Sequence, residues 1–426
     1  MSITIKNKIL FFELSLIILL KIVLDYGYYF TNRKITHYYI FDFDLVNYSL
    51  GWFFTFLIYL FLFYKRNIKI SIVFLLIFIL YILPNIVYYG LSNKSLTFLL
   101  YLLIPFSFIL FSIKNLELQK KVKYLVDLKY ILAISVITSL IVLFHLIWSS
   151  AGDFVLNPLS VYSFREKYEN INSIGVWAYI NSWTFRIFVV FLLVYFLYIK
   201  SYLSLLNTIL LVFLFFIFTG HKSIFLSIFL VLFFFFIYKT NWNRIIIISS
   251  FILFFFTIIL YCNVTKDVLL GAIFIKRLLF VPPVLSFTYF EFFSNNELLY
   301  WSNGVLKNFY EYPYEKNFTL LIGEFLNMPR TNANIGFLPM GYAHASFFGI
   351  FIYTIIASII LNMINWFISE DTKFIKISIS FLPIYIFFTT SDLLTTFLTH
   401  GLFLSLLLVV FLSINLKKGK YHDSNT

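Results

Sequence analysis

Apolar runs of about twenty residues recur along this chain from end to end, and they leave it few ways to fold. They fall at residues 9–30, 45–64, 68–89, 95–113, 130–148, 176–199, 203–218, 223–238, 244–262, 342–366, 374–389 and 393–416. A bilayer core takes about 20 mainly apolar residues per helix, and a helix satisfies its own backbone groups where no water is present. Only 12% of the residues are charged, against roughly 25% in a soluble domain, so a water-facing surface cannot be built from this sequence. The expectation is an all-α polytopic membrane protein with about twelve transmembrane helices.

Lysine and arginine in the short connections orient such a chain. With the N-terminus inside, the cytoplasmic side holds eighteen of them: Lys6, Lys8, Lys65, Arg66, Lys69, Lys114, Lys120, Lys121, Lys123, Lys129, Lys200, Lys239, Arg244, Lys373, Lys376, Lys417, Lys418 and Lys420. The short outer connections hold six: Arg33, Lys34, Lys94, Arg165, Lys167 and Lys222. Both termini are therefore expected in the cytoplasm. Residues 1–262 carry helices one to nine, 263–341 form a large extracytoplasmic loop, 342–416 carry helices ten to twelve, and 417–426 are a cytoplasmic tail. The first run has no small-residue cleavage site after it and reads as a membrane helix rather than a removed signal. One cysteine, Cys262, allows no intrachain disulfide. The net charge of +13 is mostly this orienting excess and also suits anionic headgroups or ligands; membrane lipids, not nucleic acid, are the expected surroundings.

Charge inside a membrane is costly and marks functional positions. Arg186 sits in the outer half of helix six, where it either anchors a phosphate or carboxylate or snorkels to the surface. Glu13 and Lys21 in helix one are expected to snorkel inward, and Asp392 to lie solvated in a turn. The turn at 218–223 places His221 and Lys222 beside a helix N-terminus, which attracts anions, although an ordinary polar turn reads the same way. Within the long loop, residues 268–280 are apolar with Lys276 and Arg277, as in an interfacial or re-entrant helix stopped by Pro282 and Pro283. The loop also holds Lys307, Lys316, Arg330, Glu291, Glu297, Glu311, Glu315 and Glu324 among Tyr289, Tyr300, Trp301, Tyr310, Tyr312 and Tyr314. Aromatic faces stack on sugar rings, carboxylates bond hydroxyls or act as bases, and arginines grip pyrophosphate. No metal-ligand spacing and no nucleotide-phosphate loop occurs.

The loop resembles the oligosaccharide repeat-unit polymerases of O-antigen and capsule synthesis, the Wzy-type family. The likeness lies in Lys276-Arg277-Leu278-Leu279-Phe280-Val281-Pro282-Pro283, in Tyr289-Phe290-Glu291-Phe292-Phe293-Ser294-Asn295-Asn296, in Glu311-Tyr312-Pro313-Tyr314 and Ile322-Gly323-Glu324. It continues through Asn332-Ala333-Asn334-Ile335-Gly336, Gly341-Tyr342-Ala343 and Gly349. It is specific over about ninety residues and architectural elsewhere.

The resemblance implies a glycosyltransferase of the bacterial inner membrane. It would move a growing glycan from undecaprenyl pyrophosphate onto a new lipid-linked repeat unit at the outer face, with no cofactor, metal or nucleotide. Arg186, Lys222, Arg277 and Arg330 are expected at the pyrophosphate, Glu291, Glu324 or His344 as base, and Asn332, Asn334 and Tyr342 on sugar hydroxyls. Gly336, Gly341 and Gly349 are expected at turns and close packing. A repeat-unit flippase and a chain-length regulator are the implied partners. The nearest rival readings are an O-antigen ligase, which shares the donor, and a repeat-unit flippase, which short loops and central membrane charges would favour.

Overall fold

The computed structural model describes residues 3–35, 40–116, 128–156, 160–161, 163–164, 167–168, 175–304, 306–329 and 331–419. The described residues are helical apart from connections and one isolated bridge between Asp42 and Ser92. Eight helices among them are long and apolar enough to cross a membrane, so the chain is a multi-pass, all-α membrane protein. Seven coincide with expected runs: Leu45–Tyr64, Ser71–Leu91, Leu128–Ser149, Val176–Tyr198, Tyr202–Thr219, Arg244–Thr265 and Phe337–Phe367. The eighth, Gly271–Asn295, lies in the segment expected to be a loop. Leu96–Ser112, Ile224–Lys239 and Leu402–Leu412 are apolar but shorter.

The described chain falls into two compact units. The first comprises Met1–Lys114, Trp242–Asn362 and Phe387–Leu393. At its centre runs Ser71–Leu91, with every side chain buried, and Ile3–Phe30, Leu45–Tyr64, Leu96–Ser112 and Val281–Asn295 pack around it. A helix apolar on all faces belongs in such a place. Two of its tyrosines pair outside it: the Tyr81 hydroxyl lies 3.1 Å from Ser286 Oγ, and the Tyr89 hydroxyl donates to Asn47 Oδ1 at 2.7 Å.

Lys21 and Glu13 of the first helix do not snorkel. Lys21 is buried, its ammonium 2.9 Å from both carboxylate oxygens of Asp25 and over the rings of Tyr48 and Trp52 at 4.6 and 4.3 Å. Glu13 is buried too, accepting from the Tyr59 hydroxyl and lying 3.6 Å from Arg244 Nε. Each has a partner at hand, and a paired, hydrogen-bonded ion in low dielectric costs far less than a bare one.

The helix expected to stop at Pro282 continues to Asn295. Its first part, Gly271–Phe280, is wound as a π-helix, and the Val281 amide donates to the Lys276 carbonyl five residues back. Proline breaks an α-helix because it lacks an amide and its ring strikes the carbonyl four residues before. The wider π turn relaxes that contact, and Pro282 and Pro283 then occupy the first turn of a new α segment, where proline is tolerated. The region between helices nine and ten is thus largely helical, with Phe318–Phe325 a further short element.

Phe337–Phe367 is not one straight rod. Ala345 (φ −153°, ψ 35°) and Ser346 (φ 51°, ψ −139°) leave the helical region and divide it in two. Gly341 and Gly349 meet across the break: a Cβ on Gly349 would stand 1.9 Å from the Gly341 carbonyl oxygen. At the start of this helix a Cβ on Gly336 would stand 2.0 Å from the carbonyl oxygen of Phe388, and Phe337 stacks on Phe387 at 4.0 Å. The three glycines serve the close packing expected of them.

The second unit comprises Asn115–Asn241, Met363–Ile386 and Leu394–Thr426. Leu128–Ser149, Val176–Tyr198 and Tyr202–Thr219 pack together, and Lys222–Lys239 follows. Gly220, in the left-handed region at φ 65°, ends one helix and turns the chain into the next. Val176–Tyr198 contains a π turn, Thr184–Phe188. The last expected run, 393–416, is divided: Leu393–Leu398 ends, and Leu402–Gly419 begins beyond Gly401 at φ +80°. A Cβ there would also stand 2.8 Å from Ile187.

Candidate functional site

The broken helix of the first unit gathers the polar and aromatic groups that the sequence marks. Two carbonyls just before the break, those of Ala343 and His344, would bond the amides of residues 347 and 348 in an unbroken helix. Instead they accept from the amides of Leu299 (2.9 Å) and Tyr300 (3.0 Å). The 299–301 segment thereby caps the first half-helix, which answers the usual cost of unpaired backbone groups away from water.

Trp301 continues this contact with its side chain. Its indole stacks on the His344 imidazole at 5.0 Å and 15°, its main-chain amide donates to His344 Nδ1 at 3.3 Å, and its Nε1 donates to the Tyr353 hydroxyl at 2.8 Å. Tyr353 is hydrogen-bonded in turn to Asp392. Asp392 is therefore not a solvated turn residue; it closes a polar chain onto a buried tyrosine. His344 itself is 1% exposed.

Tyr342, two residues before His344, is mostly buried among Tyr101 (5.4 Å) and Phe290 (5.2 Å), and its hydroxyl bonds Ser346 in the break. Tyr289 is fully buried and donates to the Ala333 carbonyl at 2.6 Å, which ties the Asn332–Asn334 turn to the Val281–Asn295 helix. Asn332 and Asn334 are exposed, Asn332 Oδ1 accepting from Thr319 at 3.2 Å. Glu291 lies next to Phe290 in sequence and pairs with Lys94 at 3.3 Å. Tyr342, His344, Glu291 and the two asparagines thus belong to segments that pack on one another.

Other expected residues lie apart from this group. Glu324 is exposed and paired with Lys316 at 2.8 Å; this bond holds the Lys316 ammonium above its ordinary range. Burial, with the Glu297 carboxylate nearby, pushes the Tyr314 phenol up to about 12. Arg277 is exposed on the π-wound stretch. Arg330 and the Lys222 side chain lie outside the described residues, so the structure describes part of the expected cationic set. Arg186 belongs to the second unit. Half-buried, it donates to Ser182 Oγ and, at 2.6 Å, to His400 Nδ1. Beside it Trp183 Nε1 donates to the Leu398 carbonyl at 2.7 Å. No group of three His, Cys, Asp or Glu suited to a metal ion occurs among the described residues.

Sequence reasoning missed Tyr353, Ser346 and Tyr101, read Asp392 as a solvated turn residue, and saw Trp301 only as a possible sugar platform. The pairing of Gly341 with Gly349 was the available signal that a helix approaches itself closely here. Fold and site together define a multi-pass α-helical membrane protein with an aromatic-lined, polar break in one spanning helix. No family model, curated protein or solved structure matches the chain.

Proposed function

We propose that this protein polymerises lipid-linked oligosaccharide repeat units at the outer face of a bacterial inner membrane. The observation that carries the reading is the break at Ala345–Ser346: irregular backbone at membrane depth is tolerated where protein buries it or where it lines a water-filled cavity, and Tyr342, His344, Trp301 and Tyr353 gather around this one. Aromatic faces and neutral hydrogen-bonding groups are what a glycan needs. In this reading twelve crossings put both termini in the cytoplasm and the 263–341 region outside.

The reaction breaks the bond between the anomeric carbon of the growing glycan and the pyrophosphate oxygen of its undecaprenyl carrier. A new bond forms from that carbon to a hydroxyl oxygen of the incoming unit, and undecaprenyl pyrophosphate departs with the bonding pair. The hydroxyl proton goes to a base, for which Glu291, Glu324 and His344 are the candidates. Positive charge stabilises the leaving group, and Arg277 and Arg330 are the candidates for it in the first unit. Asn332, Asn334 and Tyr342 orient the sugars, and a flippase and a chain-length regulator are the partners.

The test is the glycan ladder from cells lacking the gene, with and without its return. A core carrying a single repeat unit, lengthened to a ladder on return, supports a polymerase. Uncapped core points instead to ligation or flipping and removes the proposal.

A further inference from the structure

His344 receives its hydrogen bond on the nitrogen that decides its chemistry. Because the Trp301 main-chain N–H donates to Nδ1 at 3.3 Å, Nδ1 holds a lone pair and the neutral ring carries its one proton on Nε2. A ring in that state gives a hydrogen bond through Nε2, and it cannot accept a proton there. The amide that imposes this state comes from an uncommon backbone: Tyr300 (φ 45°) and Trp301 (φ 57°) are both left-handed, and Ser346 (φ 51°) lies two residues after His344. Such conformations in non-glycine residues persist where the surroundings over-determine them. Here the surroundings are the capped carbonyls of Ala343 and His344, the indole–imidazole stack, and the bond from Trp301 Nε1 to Tyr353.

We propose that Trp301 is the positioning residue of this site, and that it fixes His344 as the Nε2–H tautomer so that His344 donates to a substrate oxygen and is not the base. The tautomer assignment stands on geometry alone. That the oxygen belongs to a glycan or a phosphate rests on the polymerase reading. The base candidates then narrow to Glu291 and Glu324.

The first test is nitrogen NMR of the full-length protein in bilayers with its six histidines labelled, the His344 signal being identified by its loss in His344→Gln. The expected result is a proton on Nε2 and none on Nδ1; a proton on Nδ1, or on both nitrogens at neutral pH, overturns the proposal. Trp301→Phe and the milder Tyr353→Phe are expected to give a mixture of tautomers, and an unchanged single tautomer in both removes the role given to Trp301. The second test is polymerisation of purified lipid-linked repeat units. Glutamine keeps an N–H donor near the Nε2 position without a ring base, so His344→Gln should stay within about tenfold of the native rate while His344→Ala loses about a hundredfold. Equal loss in both variants overturns the donor assignment. If the native protein joins no repeat units, the polymerase reading fails and the NMR result still decides the tautomer.

Discussion

Trp301 Nε1 donates to the Tyr353 hydroxyl across 2.8 Å, and through that one oxygen the capping segment of the broken helix is joined to Asp392. Removing the oxygen takes the acceptor from the half-buried indole N–H and one hydrogen bond from Asp392. Tyr353→Phe is therefore expected to destabilise the protein by about 1–3 kcal/mol, read as a lowered unfolding midpoint in detergent. An unchanged midpoint would mean that the chain from Trp301 to Asp392 adds nothing to the fold.

The Glu13–Arg244 pair makes a sharper prediction because both members are buried. Arg244→Met strands a carboxylate among apolar side chains and should cost about 3–5 kcal/mol, whereas the double change with Glu13→Leu should recover most of it. Equal losses in the single and double variants, compared in a double-mutant cycle, would show that the two side chains do not interact.

Glycine substitutions separate close packing from mere flexibility. Gly336→Ala and Gly349→Ala each set a methyl group within 2.0 Å of a carbonyl oxygen, and folded yield should collapse. Gly304→Ala meets nothing within 4 Å and should behave as the native chain does.

Topology is open to a labelling experiment on a Cys262→Ser background, since Cys262 is the chain's single cysteine. With the 263–341 region wholly outside, cysteines introduced at Lys266 and Glu311 should both react with a membrane-impermeant maleimide in intact cells, and one at Lys417 should not. Labelling at only one of the first two would show that Gly271–Asn295 crosses the membrane as a full span.

Glu324→Gln removes an exposed partner of Lys316. Exposed pairs contribute little because water and salt screen them, so no change in unfolding midpoint is expected. A fall in polymerisation by this variant would then report on chemistry, and unchanged polymerisation would take Glu324 off the list of bases.

The helices themselves were legible because a spanning segment has to be apolar over its whole length, a local property that survives in one sequence. Most of what escaped depends on partners distant in the chain. Glu13 and Lys21 look like snorkelling residues until Arg244, Tyr59 and Asp25 are placed around them. Pro282 and Pro283 read as a stop because the π winding before them has no sequence signature of its own. The break at Ala345–Ser346 contains neither proline nor glycine, and only the segment that caps it, 299–301, explains why it is stable. Tyr342 and His344 were recognisable as site candidates, whereas Tyr353 and Asp392 resemble ordinary core and turn residues until the fold joins them.

The π turn at Thr184–Phe188 works as a register device. A π turn holds one residue more than an α turn, and each residue rotates a helix by roughly 100°. Deleting a single residue there would let the helix return to plain α geometry with the segments on either side still facing the same neighbours, because the turn gives up only its extra residue. Only the turn itself would change, and it holds Arg186, bonded to His400, and Ile187, which meets Gly401. A helix that looks like simple membrane filler therefore carries its extra residue as information, and deleting one residue from α-wound Val189–Tyr198, where nothing absorbs the turn of about 100°, should be more damaging than deleting one from the π turn.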